Sequence, residues 1–78
     1  MHSTSIIKGI RGKKSLSQEN VANMMGLSRQ TYNSLENDLL NNDFNLMFKL
    51  LKILELSESE TDEFFNALKQ DYESYKNN

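Results

Sequence analysis

No proline occurs anywhere in the chain, and no glycine occurs after Gly26. Everything beyond that point therefore lacks the two residues that interrupt helices most effectively, and long stretches of it can run as helix. The other glycines, Gly9 and Gly12, fall near the start. Each costs a helix about 1 kcal/mol relative to alanine. At 78 residues the chain buries only about 60% of its unfolded surface, so one domain spanning 1–78 with one modest core is expected. There is no cysteine, which excludes disulfide scaffolds, thiolate metal sites and cysteine nucleophiles and leaves stability to packing. No internal repeat, low-complexity segment or interdomain linker is present.

Apolar spacing predicts five helices and no strand. Helix 1 is expected at about 4–14, from Ile6, Ile7 and Ile10 after the capping residues Ser3, Thr4 and Ser5. Helix 2 is expected at about 17–25, with Ser17 as N-cap and Val21, Ala22 and Met25 as its apolar stripe. Asn20 stands where a capping box has Glu or Gln, so that box is expected to be incomplete. Gly26 follows where the stripe stops and suits a left-handed C-cap. Ser28 caps helix 3, whose apolar back is Tyr32 and Leu35. At about 100° per residue, Arg29, Gln30, Asn33, Ser34 and Asn37 share one polar arc of roughly 140°. Leu39 and Leu40 interrupt a polar loop and are expected to tuck beneath the fold. Helix 4, about 44–55, is apolar on nearly every side and is expected to be the most buried. Ser57 to Glu60 forms a capping box for helix 5, about 58–75, with the stripe Phe64, Phe65, Leu68, Tyr72 and Tyr75.

The net charge of −2 conceals an asymmetry. Residues 1–36 hold Lys8, Arg11, Lys13, Lys14 and Arg29 against Glu19 and Glu36, a balance of +3, and the remainder stands at −5. Two readings stand: a basic face for a polyanion with an acidic flank turned away, or a merely solvated surface. Two short helices joined by a turn containing Gly, the second with a polar front, form a helix-turn-helix arrangement at about 17–37. Gly26 serves the turn, Ala22 the helix crossing, and Arg29, Gln30, Asn33 and Ser34 a surface able to read base edges.

The segment SQENVANMMGLSRQTYNSLEN, residues 17–37, resembles the xenobiotic-response-element family of lambda-repressor-like domains. The likeness rests on Ser17-Gln18, Val21-Ala22, Gly26-Leu27-Ser28 and Tyr32 through Leu35-Glu36, and it extends over roughly residues 5–70. Asn37 departs from it, standing where the family usually has Gly. The resemblance implies an all-α, compact five-helix bundle and a transcription regulator of the bacterial or phage repressor type. It also implies that Gln18 and Ser28 grip phosphates at helix N-termini, with Thr31, and with Asn41 and Asn42 reaching the backbone from the loop. Arg29, Gln30 and Ser34, with Asn33 at the side, would face the major groove of double-stranded DNA. Arg11 and Glu36 match a pair that often links helix 1 to the recognition helix.

Lys13 and Lys14 have two readings, phosphate contact and solubility. Phe65, Leu68, Tyr72 and Tyr75 likewise suit either the core or a homodimer seam. His2 lacks any His or Cys partner for a metal, and the acids Glu58, Glu60, Asp62 and Glu63 lack the glycine turn of a calcium loop, so no metal and no cofactor is expected. With no nucleophile beside a base and no phosphate-cradling glycine loop, an enzyme is not expected either. The polar start and the lack of an apolar run of about 20 residues lead to an expectation of a cytoplasmic protein with no membrane partner. The leading expectation is a repressor bound as a dimer to a near-palindromic operator. Its rival is an antitoxin or antirepressor that uses the same fold to bind a protein through helix 5.

Overall fold

The computed structural model describes residues 2–76. They form five helices: α1 (His2–Lys13), α2 (Gln18–Met25), α3 (Arg29–Asn37), α4 (Phe44–Leu54) and α5 (Glu58–Lys76). There is no strand among the described residues. Ile7, Ile10, Val21, Ala22, Met25, Tyr32, Leu35, Leu39, Met47, Leu50, Leu54 and Phe64 make one buried cluster to which every helix contributes. α1 packs along α5, while α2 packs against α3 and α4. Leu39 is buried and Leu40 half-buried, as expected of a loop that folds beneath the helices.

The local signals of α2 act as their chemistry demands. The Ser17 hydroxyl accepts from the Asn20 N–H at 3.0 Å, and the Asn20 side-chain oxygen accepts from the Ser17 N–H at 3.0 Å. The capping box expected to be incomplete is therefore closed, because an amide oxygen fills the acceptor role of a carboxylate. Gly26 ends the helix at φ 72°, and Leu27 N–H turns back to Ala22 O at 2.9 Å. No atom crowds this glycine, so its need is conformational: a side chain would be strained at that φ, not obstructed.

α1 begins at His2, two residues before its expected start, because its cap comes from α5. The Asp71 carboxylate accepts from the N–H groups of His2 at 2.8 Å and Ser3 at 3.0 Å, and from the Ser3 hydroxyl. Ser3 and Thr4, expected as local caps, are instead buried, and the Thr4 hydroxyl donates to Glu36 O at 2.8 Å. Burial pushes the Asp71 carboxyl up, but the bonds from Ser3 and His2 outweigh it and hold the group below its ordinary value. Asp71→Ala is expected to cost about 1–2 kcal/mol in urea unfolding near neutral pH. The gap should narrow as pH falls through the lowered Asp71 value, where the wild type loses the same bonds. An unchanged urea midpoint at neutral pH would rule the cap out as a stabilising contact.

One expectation about burial is corrected. α4 is not buried on nearly every side: Met47, Leu50 and Leu54 face the core, but Phe44 and Phe48 are 69% and 56% exposed, their rings stacked at 6.3 Å. A chain this short has core enough for only one face of the helix. On α5, Phe64 is fully buried with Ala67 and Asp71 on its face, whereas Phe65, Tyr72 and Tyr75 turn outward and Leu68 is half-buried. The aromatic stripe thus divides between two faces.

Candidate nucleic-acid interface

α2, the turn at Gly26 and α3 present one continuous front. Ser28 caps α3 by accepting from Thr31 N–H at 3.1 Å, and its own hydroxyl donates to Thr31 Oγ1 at 2.8 Å. Tyr32, Leu35 and Glu36 are buried behind the helix, which leaves Arg29, Gln30, Asn33 and Ser34 exposed in front. Gln18, Arg29, Gln30 and Asn33 line a recess of about 420 Å³ on this face.

The expected pair of Arg11 and Glu36 is present and sits at the centre of a larger network. Arg11 Nε donates to Glu36 Oε2 at 2.9 Å and its Nη2 to Oε1 at 3.2 Å, while Nη1 holds Leu16 O at 2.9 Å. Tyr32 OH donates to the same carboxylate, and so does Gln18 Nε2, at 3.1 Å. Glu36 is fully buried. Burial alone pushes its carboxyl up, but hydrogen bonds from Arg11, Tyr32 and Gln18 reverse this and leave it below the ordinary range. Arg11 is raised by its bond to Glu36. Tyr32 is raised by burial and by donating to Glu36, so its hydroxyl stays protonated. The network ties α1 and the start of α2 to the back of α3, which fixes how the polar front is aimed.

Tyr32 and Gln18 were missed as partners of this pair. The spacing of Tyr32 and Glu36, four apart on one helix, carries that signal. No comparable signal exists for Gln18, whose reach depends on how the helices cross. Its amide turns inward, to Glu36 and to Asn33 Oδ1 at 2.9 Å. Lys49 of α4 was also missed: its Nζ donates to Met25 O at 3.1 Å and puts a cation at the C-terminal end of α2.

The remaining candidates lie off the recess. Lys13 and Lys14 are exposed at the end of α1. Lys13 shares a second recess, of about 180 Å³, with Glu60 and Glu63 of α5. The Glu60 carboxyl is held below its usual range first by the Ser57 N–H, with Lys14 and Lys13 adding to the effect. α3 continues through Asn37 and is capped at Asp38 with φ −146°, so the departure at Asn37 falls on a helical residue. Asn41 donates to the Asp38 carboxylate at 3.0 and 3.3 Å, and Asn42 to Asp38 O at 2.5 Å, which draws the loop against the end of α3.

Paired short helices with a left-handed glycine between them and a polar front on the second define a helix-turn-helix fold of the DNA-binding kind. A helix-turn-helix family model matches residues 7–60. The chain belongs to that family, in its xenobiotic-response-element, lambda-repressor-like form. It is a family of DNA-binding regulatory domains and not one of enzymes. No curated protein and no solved structure gives a significant match. No helix among the described residues is long and apolar enough to cross a membrane.

Proposed function

We propose that this protein is a sequence-specific transcription regulator, a repressor that lays α3 in the major groove of a near-palindromic operator. The observation that carries the reading is the exposed row Arg29, Gln30, Asn33 and Ser34, aimed outward by a buried ion pair on the opposite side of the same helix. Arg29 suits the paired acceptors of guanine, and Gln30 the acceptor and donor of adenine. Phosphates would meet the first N–H groups of α2 and α3, beside Gln18, Ser28 and Thr31, with Asn41 and Asn42 along the loop. Lys13 and Lys14 would add attraction at longer range. A second copy, joined through Phe65, Leu68, Tyr72 and Tyr75 on α5, would read the other half-site.

The test is a titration of random-sequence and promoter duplexes at two salt concentrations, for the wild type and for Arg29→Ala/Gln30→Ala. Wild-type affinity should fall steeply with salt, as counterion release requires. The double variant should lose specific affinity by roughly a hundredfold, since each good base contact discriminates by about 1–3 kcal/mol. Salt-sensitive binding to random DNA should survive the change. Absence of binding to any duplex would sink the reading and favour the antitoxin or antirepressor alternative, which the exposed aromatics of α5 support.

A further inference from the structure

We propose that Asn33 meets DNA as a hydrogen-bond donor only, so that α3 favours guanine or thymine over adenine and excludes cytosine at that contact. This rests on α3 being the base-reading helix. Asparagine ordinarily offers one acceptor and one donor group, the pair that matches adenine. In this protein the amide is not free to choose which of the two it shows.

The constraint begins in the core. Glu36, ion-paired with Arg11, is a carboxylate and can only accept. The Gln18 side chain must therefore point its NH2 at Glu36, and does so at 3.1 Å. The same Nε2 lies 2.9 Å from Asn33 Oδ1, and only an oxygen can receive its second hydrogen. Turning the Asn33 amide over would set two NH2 groups against each other.

A second partner imposes the same orientation independently. Asn37 Nδ2 donates to the backbone oxygen of Asn33 at 2.9 Å, which fixes the Asn37 amide, and also to Asn33 Oδ1 at 3.2 Å. The Asn33 oxygen is thus held by two donors. Its Nδ2 has no protein partner among the described residues, and Asn33 lines the recess with Gln18, Arg29 and Gln30. What reaches a base edge is NH2. Guanine N7 and O6, or thymine O4, can accept from it; adenine accepts at N7 alone and leaves its neighbouring amino group without the acceptor it needs, and cytosine offers only an amino group. Gln18 is a positioning residue in this scheme: it transmits the acceptor-only character of a buried carboxylate to the reading surface.

The experiment is selection of binding sites from randomised duplexes with the full chain, as wild type and as Asn33→Asp. Aspartate keeps one oxygen for Gln18 and Asn37 and turns its other oxygen outward, an acceptor where the amide has donors. One position of the half-site should be G or T in the wild type and shift to C or A in the variant, a swing of roughly tenfold or more. Adenine or cytosine at the wild-type position that Asn33→Asp alters would overturn the proposal and leave base reading by α3 intact. So would a variant that alters no position of an enriched site. A library in which the wild type enriches no sequence overturns both. The side-chain amide spectrum of the free protein tests the orientation separately: Gln18 NH2 protons should exchange with water more slowly than those of Asn33, and the reverse order would overturn it whatever the DNA shows.

Discussion

Glu36→Ala is expected to lower the unfolding free energy by about 3–5 kcal/mol, the usual loss when one member of a buried ion pair is removed. Three donors lose their acceptor at once: the Arg11 guanidinium, with its side chain only 15% exposed, the Tyr32 hydroxyl and the Gln18 amide. In a domain stable by only about 5–15 kcal/mol this is a large share, and urea denaturation followed by circular dichroism reads it directly. The companion variant Arg11→Met/Glu36→Leu separates the cause. If it recovers most of the stability, the loss in the single variant comes from charge left unpaired, not from the net strength of the pair. The pH dependence follows from the lowered Glu36 carboxyl. Its contribution is full above the ordinary glutamate value, about 4.3, and is lost as pH falls through the lower folded value. The acid side of the stability profile should therefore be shallower in Glu36→Ala than in the wild type. An equally steep acid limb would mean that other carboxylates, Asp71 foremost, govern it.

Phe64→Ala should cost about 3–5 kcal/mol, and Phe65→Ala less than about 1 kcal/mol. The two residues are adjacent and their rings meet edge to face at 5.3 Å, yet Phe64 is fully buried and Phe65 is 37% exposed. Truncating Phe64 empties a site in the seam where α5 meets the rest of the core, while truncating Phe65 removes a ring that water already reaches. The comparison is made on urea midpoints with the slope unchanged. Equal losses would contradict the helical register given to α5. A Phe65→Ala loss that appears only as protein concentration rises would reveal a second copy covering that ring, as the proposed dimer requires.

The parts of the fold that could be read in the sequence are those governed by neighbours in the chain. Ser17, Gly26 and Ser28 cap and stop helices through bonds spanning a few residues, and α2 and α3 lie where those residues put them. Arg11 and Glu36 were accessible because family resemblance carries a pair that spacing alone does not. The runs in α4 and α5 were another matter. A helix rich in Leu, Ile and Phe has no single period, and periodicity cannot say that Phe44 and Phe48 are left outside. Nothing around Asp71 marks it as the cap of a helix at the other end of the chain. The inward turn of Gln18 likewise belongs to the crossing of α2 and α3, and with it the orientation of Asn33.

The bond between His2 and Asp71 spans 69 residues, and this bears on the order in which the molecule assembles as it is synthesised. The unit formed by α2 and α3 closes over a short stretch of chain and is available early, since loop-closure entropy favours near neighbours. α1, though it precedes them in the chain, waits uncapped until the ribosome has released Asp71. A nascent chain halted within α5 before that residue would carry the whole reading surface on a fold whose first helix is not yet fastened. Pauses late in translation would therefore prolong the interval in which α1 is exposed to proteases and chaperones.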